Sequence, residues 1–155
     1  MEPKIVELEA FTVLGLMEPF TSETEDFEGI WKRFMQYHDQ IHALSTDKAY
    51  YGANFGTEDE RQMDYLAGMA VEGGESLPKG LTLREVPASR YAVFECTVKT
   101  ISDTYDWIFG EWLPTAPYGR PGEGSSKADF ERYPPNTDSG DTPVLLYIAL
   151  EDGES

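Results

Sequence analysis

The chain has 155 residues, 40% hydrophobic and 13% aromatic, enough for one packed domain or two small repeats sharing a core. Its 29 acids against 12 bases give a net charge of −17, which argues against nucleic acid or anionic membrane as a direct partner, since phosphate binding needs clustered Lys and Arg. One cysteine, Cys96, excludes an internal disulfide, and neither a leader nor an apolar run of about 18 residues is present, so a soluble cytoplasmic protein is expected.

In chain order, Lys4 to Leu16 alternates as a strand with a break near Ala10. Pro19 to Thr24 reads as a turn, with Thr24 as a helix cap. Phe27, Ile30, Trp31, Phe34, Tyr37, Ile41 and Leu44 then fall at helical spacing, predicting a helix from Glu25 to about Ala43. Tyr50–Gly56 and Gln62–Val71 read as strands separated by an acidic turn, Thr57 to Glu60, and a loop follows from Glu72 to Ser76. Leu81–Val86 and Arg90–Val98 flank Pro87-Ala88, as in a strand bent by proline. Ser102 or Asp103 is the expected cap of a second helix that uses Ile101, Tyr105, Ile108, Phe109 and Trp112 and stops at Pro114. A Gly/Ser/Pro loop leads to Asp129–Tyr133, a turn spans Asn136 to Asp141, and Val144–Leu150 is a final strand.

The order strand, helix, strand, strand occurs twice. A shift of 79 carries Val13-Leu14 onto Ala92-Val93, Tyr51 onto Phe130, and Met69–Val71 onto Ile148–Leu150. The predicted fold class is therefore α+β: a duplicated βαββ unit, about residues 1–76 and 77–155 of a single domain, with pseudo-twofold symmetry, an antiparallel sheet and two main helices around a ligand cleft. The same shift carries Gly52 onto Glu131, so the acid is not required by the repeat and reads as an asymmetric addition.

Glu131 shares a strand face with Tyr133 and is the candidate ligand-binding acid. In a pocket, a carboxylate costs free energy unless a cation answers it. Tyr51, Tyr65, Trp107, Trp112, Tyr133 and Tyr147 are the candidate rings around a cation, weighed against plain core packing. His38 and His42 stand at metal-ligand spacing but lack a third ligand, so exposed helix histidines are favoured and no metal or other cofactor is expected. Cys96 reads as core. No nucleotide-binding or hydrolase signature is present, and no catalytic residue is assigned.

Four segments resemble a known family. Arg90-Tyr91-Ala92-Val93-Phe94 is similar to its YAVF strand, and Glu111-Trp112-Leu113-Pro114 to its helix ending in W-L-P. Phe130-Glu131-Arg132-Tyr133 is similar to its F-E-x-Y strand, and Leu146–Leu150 to its last strand. Together they resemble the GyrI-like small-molecule-binding domain, the effector-binding half of AraC-type and MerR-type multidrug-sensing regulators. The resemblance implies an aromatic pocket that binds organic cations against a glutamate, with Glu131 and Tyr147 at the matching positions. Val144 and Leu145 stand where the family often carries acids, leaving Glu131 as the main one. A stand-alone binding module for small lipophilic or aromatic cations is expected, with a homodimer left open. The alternatives are a hydrolase of strained electrophiles using Glu131 with Tyr147 or Trp107, and an acidic protein-interaction module that binds gyrase or another macromolecule.

Overall fold

The computed structural model describes residues 3–21, 27–56, 62–72, 80–120, 127–135 and 142–151. Its strands form one antiparallel sheet. The first half supplies β1 (Lys4–Leu8), β2 (Phe11–Thr21), β3 (Ser45–Gly56) and β4 (Gln62–Val71); the second supplies β5 (Thr82–Val86), β6 (Ser89–Thr97), β7 (Ala128–Tyr133) and β8 (Pro143–Leu150). The order across the sheet is β1-β6-β8-β7-β3-β4-β2-β5.

That order is a palindrome under the 79-residue shift: reading outward from the centre, β7-β8-β6-β1 mirrors β3-β4-β2-β5. Each half has therefore exchanged its first strand with the other. β1 closes the edge of the second half at β6, and β5 closes the edge of the first at β2. The central pair repeats the symmetry residue by residue, with Tyr50 opposite Tyr133, Gly52 opposite Glu131 and Asn54 opposite Asp129. The pseudo-twofold axis thus passes through the Gly52–Glu131 pair. The register is carried over everywhere except one outer pair, where Val13 faces Ala70 but Ala92 faces Ile148, a slip of one residue.

The break expected near Ala10 separates β1 from β2. β2 does not turn at Pro19 but continues to Thr21, pairing Pro19 with Asp64. β5 leaves β2 at Gly15, so among the described residues Pro19 meets no second partner strand and its missing N–H is tolerated. Thr24, the two acidic-turn and 136–141 segments and most of the loop after Glu72 lie outside the described residues, as does the boundary between repeats.

The first helical segment comprises α1 (Phe27–Phe34), a 3-10 turn at Met35–Tyr37 and α2 (His38–Leu44), where the spacing predicts one helix. The second runs from α3 (Ile101–Trp107) through a π turn at Ile108–Trp112 to a short 3-10 turn over Pro114. Neither Ser102 nor Asp103 caps it. A 3-10 turn, Val98–Thr100, precedes α3, and a reciprocal capping box joins Thr97 and Thr100 there. The Thr97 N–H donates to Thr100 Oγ1 at 3.0 Å. Thr97→Ala is expected to cost about 1 kcal/mol, the usual worth of a cap. A calorimetric melt that does not move would show the box idle.

Both helical segments pack on one face of the sheet. Phe34 and Ile41 meet Leu14, Met69 and Val71; Ile30 meets Phe20 and Tyr65; Ile108 meets Phe94, Leu146 and Ile148. Each such fully buried side chain contributes roughly 1.5–3 kcal/mol. The other face gathers Val13, Tyr51, Phe130, Tyr91 and Ala149 with no helical residue among them. Cys96 is buried under α3, and burial pushes its thiol up to about 11.

Candidate functional site: a tyrosine-held carboxylate beneath an aromatic cleft

Strand alternation sends Glu131 to the helix-covered face, where it is 4% exposed. Its carboxylate is fully occupied by donors. Oε1 accepts from the Tyr65 hydroxyl at 3.2 Å and the Tyr133 hydroxyl at 3.0 Å. Oε2 accepts from the Tyr105 hydroxyl at 2.9 Å and Asn54 Nδ2 at 3.5 Å. Three phenols and an amide match the four lone-pair directions of a carboxylate. None of the donors is cationic. Burial therefore raises the carboxyl above its ordinary range, and the Tyr105, Tyr133, Tyr65 and Asn54 hydrogen bonds pull it partly back. Tyr65, Tyr105 and Tyr133 are pushed well above the normal phenol value, first by burial and then by the neighbouring Glu131, so they stay protonated donors.

Gly52 makes room for this arrangement. A Cβ there would sit 2.1 Å from the Tyr65 hydroxyl and 3.0 Å from Glu131 Oε1. The Tyr65 hydroxyl that donates to the acid thus requires glycine at the acid's symmetry mate.

A cleft of about 320 Å³ opens beside the carboxylate, lined by Trp31, Met35, Tyr50, Val98 and Tyr133. It lies between the first helical segment and the turn that starts the second. Two of its walls connect to Glu131 by hydrogen bonds: Tyr133 directly, and Trp31 through Nε1 donating to Tyr65 at 3.0 Å. Trp31 meets Tyr133 edge-on at 5.6 Å. Met35, at 57% exposed, stands at its mouth.

The expected site residues divide into three groups. Glu131, Tyr65 and Tyr133 meet as above. Tyr51 and Tyr147 belong to the opposite face, where Tyr147 stacks on Phe130 at 4.5 Å and Tyr51 lies 5.8 Å from the same ring. Trp107 and Trp112 pack edge-on against Phe94 beneath the second helical segment, at 6.0 and 5.0 Å. Tyr105, Trp31, Tyr50 and Asn54 were not singled out as site residues by sequence reasoning. Tyr105 and Trp31 carry polar tips within apolar helical stripes, a signal that the tips need partners in the core. His38 is engaged on both nitrogens, by the Tyr50 hydroxyl at 2.8 Å and Asp39 at 3.2 Å. It thereby braces one cleft wall. Among the described residues no three acid, histidine or cysteine side chains gather as a metal site.

A palindromic antiparallel sheet carrying two helical segments over one face is the architecture of an effector-binding domain. The chain belongs to the Cass2 family of integron-associated effector-binding proteins, whose signature matches residues 4–150. It is 32% identical over 136 residues to the transcriptional regulator BrlR of Pseudomonas aeruginosa, covering 86% of this chain and 48% of BrlR. The chain thus spans about half the length of that relative. The structure of SAV2435 bound to tetraphenylphosphonium superposes with a TM-score of 0.75 at 16% identity, covering 97% of this chain and 94% of that one. The integron cassette protein from the mobile metagenome of Vibrio cholerae gives 0.63 at 19% identity, over 97% and 96%. The EcmrR C-terminal domain gives 0.68 at 15% identity, over 98% of both chains. No helix among the described residues is long and apolar enough to cross a membrane.

Proposed function

We propose that this chain is a binding module for small aromatic or lipophilic cations, with the cleft as the binding site and Glu131 as the counter-charge. The observation that carries this reading is a buried carboxylate held by neutral donors only, one phenol away from an aromatic-walled cleft. Removing a carboxylate from water without a cation is unfavourable, and a ligand that supplies the missing charge regains that free energy. Tyr133 is the intermediary. Its hydroxyl donates to Glu131, which makes the ring richer in electrons toward the cleft and strengthens attraction for a cation, ordinarily about 0.5–2 kcal/mol per ring. That SAV2435, a protein of similar fold, is bound to tetraphenylphosphonium supports this reading. Tyr147 and Trp107, the aromatic neighbours a hydrolytic role for Glu131 would draw on, lie away from the carboxylate.

The test compares an aromatic cation with its neutral isostere by calorimetry and thermal shift, since a ligand bound to the folded state raises the melting temperature. The cation is expected to bind at least about tenfold tighter, a difference of 1.4 kcal/mol. Equal affinity for the two compounds would remove the role assigned to Glu131. Salt dependence is the weaker probe, because a buried charge pair is little screened.

A further inference from the structure

The same strand alternation that turns Glu131 toward the helices turns Arg132 to the opposite face, into a second concavity of about 250 Å³. Its walls are Leu8, Phe11, Tyr51, Phe130, Arg132 and Tyr147, with Glu9 at the rim. Phe11, Phe130 and Tyr147 supply ring surface: Phe11 meets Phe130 edge-on at 5.3 Å, and Phe130 stacks on Tyr147. The polar end is Arg132. Its Nε donates to the Tyr51 hydroxyl at 3.1 Å, which aims the guanidinium fork. Asp47 forms an ion pair with it, Oδ2 lying 3.7 Å from Nη2, too long for a hydrogen bond. Asp47 is already committed to other donors, the Tyr51 hydroxyl at 2.6 Å and the Ala49 N–H at 3.0 Å. Among the described residues, neither terminal nitrogen of Arg132 nor the Tyr147 hydroxyl has a hydrogen-bond partner. Burial raises the Tyr147 phenol above its ordinary value, and the nearby Arg132 guanidinium pulls it partly back.

We propose that this second concavity binds a small aromatic monocarboxylate, its ring against Phe11, Phe130 and Tyr147 and its carboxylate on the Arg132 fork and the Tyr147 hydroxyl. A planar guanidinium pairs with a carboxylate through two parallel hydrogen bonds, a geometry that the 3.7 Å ion pair with Asp47 does not supply. Glu9 at the rim and the net charge of −17 select a single negative charge over a polyanion. The ligand charge is opposite to that proposed for the cleft, and the two sites stand back to back on β7.

The experiment titrates 2-naphthoate and its neutral isostere 2-naphthamide into the full chain, following backbone amides by NMR, and repeats both with Arg132→Gln and Arg132→Lys. Naphthoate is expected to shift the amides of Leu8, Phe11 and Tyr147 and to bind at least about tenfold tighter than naphthamide. Arg132→Gln should erase that difference, and Arg132→Lys should retain part of it, since lysine keeps the charge but not the fork. Equal affinity of acid and amide for the wild type overturns the proposal. So does a response confined to Trp31, Tyr50 and Tyr133, or no binding at millimolar concentration. If the glutamine variant does not fold, the acid–amide comparison on the wild type decides alone.

Discussion

Glu131→Gln is expected to weaken an aromatic cation by about 1–3 kcal/mol, roughly 5- to 150-fold, with little change in the stability of the empty protein. The loss follows from removing the one charge that answers the ligand. The near-neutral stability follows from opposing changes. Glutamine abolishes a buried anion, which helps. It also places an NH₂ where Oε2 accepted from Tyr105 and Asn54, which hurts. The Tyr105 hydroxyl can turn to accept, but the Asn54 amide then opposes a donor.

The pH dependence gives a second readout with a definite sign. Burial raises the Glu131 carboxyl, so its contribution to stability is fully present below the unfolded carboxylate value of about 4.3 and is lost as pH rises through the raised folded value. Cation affinity should move the other way, strengthening as the carboxylate ionises over that range. Below it, each cation bound should release a proton. Calorimetry in buffers of different ionisation enthalpy measures this directly. A variant that keeps wild-type affinity at every pH would leave Glu131 as a structural acid.

Gly52→Ala is expected to destabilise the fold by about 1–3 kcal/mol and to disable the cleft, because overpacking in a closed site forces displacement. The added methyl would lie 2.1 Å from the Tyr65 hydroxyl and 2.9 Å from its Cζ. Tyr65 cannot swing aside: it is fully buried, stacked on Phe20 at 5.3 Å and bonded to Trp31. Urea melts measure the loss. Adding Tyr65→Phe should return part of the stability by removing the atom struck hardest, and a double-mutant cycle reads that coupling. Strict additivity of the two changes would mean that the contact is not what fixes glycine here.

Much of this was legible in the sequence because it depends on local periodicity. Alternation located the strands, and the helical stripe of Ile30, Phe34 and Ile41 located the first helical segment. The 79-residue shift anticipated the palindrome and marked Glu131 as the position where symmetry is broken. What sequence could not supply was cross-strand register. Tyr147 and Tyr133 look alike as ring-bearing strand residues. Only the pairing of Phe130 with Tyr147, one residue from Glu131, sends Tyr147 to the far face. Tyr105 escaped notice for a related reason. Its ring belongs to the apolar stripe, and the partner of its hydroxyl is 26 residues away in sequence. The edge-strand exchange was likewise invisible, since β1 reads as a continuation of β2 until the sheet order is known.

The position of Glu131 on the symmetry axis has a consequence for stoichiometry. A fold made of two equivalent halves ordinarily offers its surfaces in duplicate, so a cleft acid placed off the axis would have a counterpart position some distance away. Glu131 and Gly52 are counterparts that stand directly opposite each other. A second glutamate at position 52 would occupy the space the first already fills, and two carboxylates that close could not both ionise. On the proposed reading the site therefore takes one cation per molecule, however alike its halves become, and saturation is expected at a ratio of one to one.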